Sequence, residues 1–328
     1  RINIIKDKKI WFGILITIFC LYISFKEIDW AKLLYLFRTI NYIYLFPIFF
    51  IIVISYWLRA FRWKLLLIPI KEIKIENLFS ITMIGFMLNN IFPLRMGEFY
   101  RAYALGKEEK LSKSASFATI ILERIFDIFT LLLFLFFVSK SFDLPGWINN
   151  STNLIFLLSL MLLILLVVIT IFPQVSINIL EHFLSFLSTK YAYKMKSIFT
   201  SFIDGLKILR YRGHLFIIII LSILIWLLMA FINQLVFYSF SIELPYIASF
   251  ALLVITAFGV MIPSAPGYIG TFQLFSVLAL GLFSVSKVEA LSMSIFLHFS
   301  EYLIVTTLGL IYLGKRNISF KKLTVFKK

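Results

Sequence analysis

Three groups of ionisable residues stand inside stretches that are otherwise apolar. Arg95, Glu98 and Arg101 recur at every third position, so a helix there carries all three along one side. Glu123, Arg124 and Asp127 interrupt the next apolar run, and His298 and Glu301 lie one turn apart in the last one. Ionisable groups within a membrane span are costly and point by default to a functional site. Guanidinium groups bind phosphate through two parallel hydrogen bonds and keep their charge. Arg95, Arg101 and Arg124 are therefore expected to contact an anionic group. Glu98, Glu123 and Glu301 are expected to counter that charge and to carry protons. Simpler roles stand beside these: a surface ion-pair cluster for Glu98, an intramembrane lock between helices for Glu123, Arg124 and Asp127, and a satisfied buried pair or a proton-sensitive switch for His298 with Glu301.

Two helix breaks must position these groups. Asn89, Asn90, Pro93 and Gly97 interrupt the apolar run 78–104, and Pro263-Ser-Ala-Pro-Gly-Tyr-Ile-Gly270 interrupts 246–283. Pro93, Gly97, Pro263, Pro266, Gly267 and Gly270 are expected to shape the breaks, while Asn90 either satisfies freed backbone groups or meets a ligand. Arg59, Arg62 and Lys64, among tryptophans, mark the end of an earlier apolar run. No His, Cys, Asp or Glu set has metal-ligand spacing, and no P-loop, nucleophile elbow or dinucleotide fingerprint occurs. Neither metal nor cofactor is expected, and the lack of an ATP motif argues against a primary pump.

Composition sets the class. The 328 residues are 61% hydrophobic and only 15% charged, with a mean hydropathy of +0.99, beyond what a soluble domain can bury. The expectation is a single all-α polytopic membrane domain over 1–328. The net charge of +16 is assigned to membrane-flanking loops, which collect Lys and Arg on the cytoplasmic side, and no nucleic-acid partner is expected. Cys20 is the single cysteine, so no disulfide framework exists. The N-terminal apolar run lacks a small-residue cleavage site and is expected to be an uncleaved signal anchor.

Apolar runs at 10–25, 41–58, 117–139, 152–172, 214–240 and 288–313 are each near the roughly 20 residues needed to span a bilayer. An amphipathic stretch with Trp30, Leu33, Leu34, Phe37 and Ile40 lies between the first two, and 174–213 is expected to form one or two interfacial helices. If 78–104 and 246–283 are re-entrant hairpins, the basic segments 1–9, 59–77, 95–113, 173–213 and 315–328 share the cytoplasmic side. They hold 26 of the 32 Lys and Arg residues. Both termini are then cytoplasmic, in the cell membrane. The units 78–139 and 246–313 each become a hairpin plus a span, with Pro93-x-x-x-Gly97 answering Pro263-x-x-x-Gly267. That arrangement is an inverted-topology repeat, the geometry of transporters whose site lies near the midplane. Helix N-termini facing such a site favour an anion.

The strings LRAFRW, NNIFPLRMGEFYRA, ASFATIILERIFD and PSAPGYIGTFQ resemble the lysylphosphatidylglycerol synthase transmembrane family, also called UPF0104 or flippase-like, over nearly the whole chain. The resemblance implies a protein that moves lipids between leaflets, aminoacylated phosphatidylglycerol in some members and polyprenyl-linked or hopanoid lipids in others. It also implies that Arg62, Asn90, Pro93, Arg95, Gly97, Glu98, Arg101, Glu123, Arg124, Pro266, Gly267 and Gly270 carry the pattern. Gln273 departs from it, standing where relatives often have Glu. No soluble aminoacyl-transfer domain precedes Lys328, so synthesis of lysyl-lipid is not expected. The expected function is translocation of an anionic or phosphate-bearing lipid, with monomer and homodimer both open. An integral-membrane enzyme acting on a lipid phosphate and a structural membrane subunit are the alternatives.

Overall fold

The computed structural model describes residues 8–93, 95–141, 146–184, 189–262 and 264–318, and their regular structure is helical. Two hairpins of helices occupy the centre. The first joins α4 (Ile75–Ile91) to α5 (Met96–Glu108), and the second joins α11 (Tyr246–Met261) to α12 (Thr271–Gly281). Around them stand α1 (Lys8–Phe25), α2 (Trp30–Thr39), α3 (Leu45–Leu67), α6 (Lys113–Ser141), α7 (Gly146–Ile171), α8 (Pro173–Leu184), α9 (Thr189–Leu206), α10 (Arg212–Ser239) and α13 (Lys287–Lys315).

Helix α4 is apolar on every side, the mark of a helix sealed in a core. It packs against α13, α3 and α5, and Leu78, Ile81, Met83, Ile84 and Met87 have no accessible surface. By contrast α7 lies at the periphery and leaves Leu154, Leu158, Met161 and Leu165 more than half exposed. Apolar surface of that extent faces lipid in a multi-pass membrane protein.

Among the described residues, four helices have the length and composition to cross a bilayer: Tyr42–Leu67, Asn153–Ile171, Arg212–Ser239 and Lys287–Lys315. They match the expected runs 41–58, 152–172, 214–240 and 288–313. The run 10–25 falls in α1, whose apolar part Gly13–Phe25 is shorter. The run 117–139 falls in α6, a long helix that carries Glu123, Arg124 and Asp127.

The connection 174–213 forms α8, α9 and a 3-10 turn at Lys207–Arg210. Helix α9 turns Ile203 and Leu206 inward onto α6, where Gly205 meets Ala115 backbone. Asp29 caps α2 by accepting from Lys32 N at 2.9 Å. The expected apolar face of α2 is divided: Leu33 and Ile40 are buried, while Trp30 and Leu34 are exposed.

The legs of each hairpin run antiparallel. At the base of the first, Asn77 donates to Glu109 Oε1 at 2.7 Å, and Lys71 donates to Glu109 Oε2 at 2.7 Å. Arg316, just past α13, donates to Ser80 through Nε at 2.8 Å and to Glu108, so the end of the last helix clamps that base. Higher up, Gly85 and Gly97 allow the two legs to touch, and a Cβ on Gly97 would fall 1.7 Å from Gly85 O.

Candidate functional site

The breaks between the legs are the tips of the hairpins, and the two tips meet. In the first, α4 ends at Ile91 and Phe92 turns extended, after which Arg95 adopts the left-handed conformation at φ 50° and α5 begins. Asn89 Oδ1 accepts from Gly97 N at 2.8 Å, satisfying one of the free amides at the start of α5. Asn90 turns the other way and donates to Thr306 Oγ1 on α13 at 3.1 Å.

The second tip is a 3-10 turn at Pro266–Tyr268. Gly267 and Gly270 take φ values of 71° and 89°, which other residues rarely adopt. Gln273 closes it: its Oε1 accepts from Gly270 N at 2.7 Å, which leaves Nε2 to donate to His298 Nδ1 at 3.0 Å. On the far side Thr17 of α1 accepts from Ala265 N at 2.9 Å and donates to Ile269 O at 3.2 Å. Pro263, expected to shape this break, lies outside the described residues.

Between the tips is a cavity of about 220 Å³. Phe92, Pro93 and Arg95 line it from one side, and Val260, Ser264 and Tyr268 from the other. The Arg95 guanidinium lies 5.7 Å from the Tyr268 ring centroid and donates a long 3.5 Å bond to Val260 O. Among the described residues no carboxylate pairs with it.

Behind the first tip lies a lattice of ion pairs contributed by three helices. Arg101 on α5 donates Nη1 and Nη2 to Glu123 Oε1 and Oε2 on α6 at 3.0 and 2.9 Å, a bidentate pair with side chains 1% and 0% exposed. The Arg101 guanidinium also stacks 4.3 Å from the Trp63 ring. Arg62 on α3 donates to Asp127 Oδ1 at 2.8 Å and to Ser222 Oγ on α10 at 2.6 Å. Trp226 of α10 donates to the same Asp127 oxygen at 2.9 Å. Arg124 bridges Glu123, Asp127 (3.3 Å) and Glu98 (3.7 Å), and it is the most exposed arginine of the lattice.

Arg59 completes the lattice differently. Among the described residues its only carboxylate is Asp127 at 3.8 Å, and its guanidinium sits among Trp226, Tyr56 and Phe86 at 5.0, 5.7 and 5.8 Å. Such a cage holds a cation by its ring faces. Tyr56 in turn donates to Glu301 Oε1 on α13 at 3.0 Å.

The expected site residues therefore separate into distinct places. Arg95 faces the cavity, and Glu98 and Arg124 form the half-open edge of the lattice. Arg101, Glu123 and Asp127 are sealed within it. Glu301 joins through Tyr56, while His298, though one turn from Glu301, belongs to the second hairpin's tip and stacks on Phe272 at 4.6 Å. Arg59 and Arg62 add to the sequence reading, which set them at the end of an apolar run. Their place among tryptophans fits a solvated helix end, yet they are 5% and 0% exposed because carboxylates on α6 reach them. Their spacing of three, the same as between Glu98 and Arg101, is the one sequence signal that could have placed them.

Comparison with known proteins bears on the same region. A family model described as the lysylphosphatidylglycerol synthase TM region matches residues 10–309. A UPF0104 membrane protein of Methanocaldococcus jannaschii is 26% identical over 274 residues, covering 80% of this chain and 82% of the relative. A second from that archaeon is 25% identical over 236 residues, covering 70% of this chain and 95% of the relative. One from Methanothermobacter thermautotrophicus is 23% identical over 232 residues, covering 65% of this chain and 68% of the relative. No solved structure matches the chain.

Proposed function

The chain belongs to the lysylphosphatidylglycerol synthase TM-region family, and on that premise we propose that it is a translocase for a lipid with an anionic, phosphate-bearing headgroup. The observation that carries this reading is the cavity between the hairpin tips, with Arg95 facing it and no carboxylate beside that arginine. A phosphate entering there meets a guanidinium, the N-terminus of α5 and the half-open Arg124. Acyl or prenyl chains stay outside among the exposed apolar faces of the bundle.

In this reading the hairpins are re-entrant, the first opening from the cytoplasm and the second from outside, and the six apolar runs are the spans. The two hairpin-plus-span units form an inverted repeat in the cell membrane with both termini cytoplasmic. Alternating access comes from rocking one unit against the other, with the tips as the moving contact. Broken backbone at that depth is tolerated because each tip is hydrogen-bonded by its neighbours, Asn89 in one case and Thr17 and Gln273 in the other.

The headgroup contacts are narrower than the three arginines named from sequence. Arg101 spends its bidentate face on Glu123, so it holds the lattice, while Arg95 and then Arg124 meet the lipid. The test is headgroup accessibility of fluorescent phosphatidylglycerol and polyprenyl phosphate in proteoliposomes. Wild type moves one lipid class between leaflets, and Arg95→Gln folds normally but loses that movement. Normal transport by Arg95→Gln would sink the headgroup role, and chemical turnover of the lipid phosphate would replace transport with enzymology.

A further inference from the structure

Every described carboxylate that is not exposed has a cation within 4.0 Å, with one exception. Glu98, Glu123 and Asp127 are paired in the lattice, Glu109 with Lys71, Asp204 with Lys207 and Glu289 with Lys32. Glu301 has none. It is half-buried near the middle of α13, and its one hydrogen bond comes from the Tyr56 hydroxyl. A carboxylate held partly out of water without a counter-ion is costly while ionised, and a proton removes that cost.

The lattice next to it has the opposite imbalance. Arg59, Arg62, Arg101 and Arg124 stand against Glu98, Glu123 and Asp127, four positive charges to three negative. Donors are in surplus: among the described residues Nε of Arg59, Arg62, Arg101 and Arg124 makes no hydrogen bond, against one such acceptor, Asp127 Oδ2. Glu301 is the fourth carboxylate. Tyr56 touches it and faces Arg59, the least anchored arginine of the set. Ionised, Glu301 makes the whole set neutral; protonated, it leaves one positive charge over.

The surroundings of Glu301 leave few rivals for the proton. From α3 come Tyr56, which bonds it, and Arg59 beside that tyrosine, and on α13 itself His298 and Tyr302 lie within one turn. Helix α4 contributes Asn90, bonded to Thr306, and its one ionisable residue, Glu76, lies at its far end. Helix α12 carries no ionisable residue, and α10 carries Arg212, His214 and Tyr238 only at its two ends. The Nδ1 of His298 is already an acceptor for Gln273, whose amide is held in that orientation by Gly270.

We propose that Glu301 is the proton-binding site of this protein: a proton on its carboxylate leaves the arginine lattice one positive charge in excess, and that charge favours the anionic headgroup between the hairpin tips. The inference rests on the translocase reading. It assigns to one residue the coupling that sequence alone spreads over three carboxylates. Linkage makes the effect reciprocal, so bound anionic lipid must also favour proton uptake.

Two measurements on the purified protein in phosphatidylglycerol bilayers decide it. In nanodiscs, infrared difference spectra on acidification should show, over the bands of the other carboxylates, a protonated-carboxyl component that is missing from Glu301→Gln and present in Glu301→Asp. No such component, or an identical one in Glu301→Gln, overturns the assignment. In proteoliposomes, an inward or outward proton gradient should change the rate of phosphatidylglycerol movement by about 5-fold or more, the lower end of ordinary coupling. The response should vanish in Glu301→Gln and survive in Glu301→Asp. A gradient response kept by Glu301→Gln, or absent from wild type that still moves lipid, refutes the coupling. Wild type that moves no lipid at all would instead sink the translocase reading, with the infrared result still deciding whether Glu301 holds the proton.

Discussion

The two hairpins share a shape and divide the chemistry. Each is a helix, a break of a few residues and a second helix folded back on the first. The first hairpin brings Arg95, Glu98 and Arg101, and its legs touch through Gly85 and Gly97. The second brings no charge. Its tip is built from backbone at positive φ, and neighbours hold it in place: Thr17 from α1 and His298, through Gln273, from α13. One hairpin is fixed by close packing and ion pairs to α6, the other by hydrogen bonds to helices on either side. On the translocase proposal, the charged half stays rigid while the apolar half breaks a few hydrogen bonds to move.

That contrast can be broken most severely at Gly97. Alanine there forces the legs of the first hairpin apart, because its Cβ would overlap Gly85 O and no side chain can yield. The loss should exceed the roughly 1–3 kcal/mol of ordinary overpacking and show as little folded protein by thermal denaturation in detergent. Gly281→Ala on the second hairpin, where a Cβ meets nothing within 4 Å, should fold normally.

Next in size is the bidentate pair. Arg101→Met takes the bidentate partner from the buried Glu123 carboxylate, which keeps Arg124 and a 3.8 Å contact to Arg62, and should cost about 3 kcal/mol. Adding Glu123→Leu should recover much of that loss, and a double-mutant cycle on melting temperatures measures the coupling. Equal damage from the single and double variants would mean that the pair does not hold α5 to α6.

Gln273→Ala sharpens the comparison from the other side. It frees Gly270 N and His298 Nδ1 together, which should cost about 1–3 kcal/mol and raise hydrogen exchange at the second tip while leaving the first unchanged. Exchange rising equally at both tips would show that they are one cooperative unit.

The smallest effect belongs to the base of the first hairpin, outside the apolar core. The Lys71 ammonium donating to Glu109, helped by Asn77, holds that carboxyl below its usual range. Its stabilisation is therefore present at pH above the ordinary carboxylate range and is lost as pH falls through the lowered folded value. Both groups are partly solvated, so the loss should be no more than about 1 kcal/mol. Lys71→Met should flatten that acid limb of the stability profile.

Much of this architecture was legible because the signals are local. Pro93 and the Pro266-Gly267 pair disfavour continued helix, and both breaks appear beside them, while Gly97 falls in the first turn of the next helix. Gln273 was legible only as an oddity. Its bond to Gly270 N is local, three residues back, but the one to His298 depends on where α13 passes, and no window of sequence around it records that. The burial of Arg59 and Arg62 was not legible for the same reason. A run of Trp and Arg at the end of an apolar stretch has the composition of an interfacial anchor, and only acids from another helix turn it into a buried ion pair.

The sequence by itself determined a multi-pass helical membrane protein, the positions of its two breaks and the set of ionisable residues inside apolar segments. These follow from hydropathy and backbone sterics, which act over a few neighbouring residues. The tertiary structure alone decided which arginine faces the cavity without a carboxylate, which are spent on carboxylates and which carboxylate held from solvent has no cation. Those outcomes depend on charge separation in space across α3, α5, α6, α10 and α13, and the order of residues along one chain does not contain it.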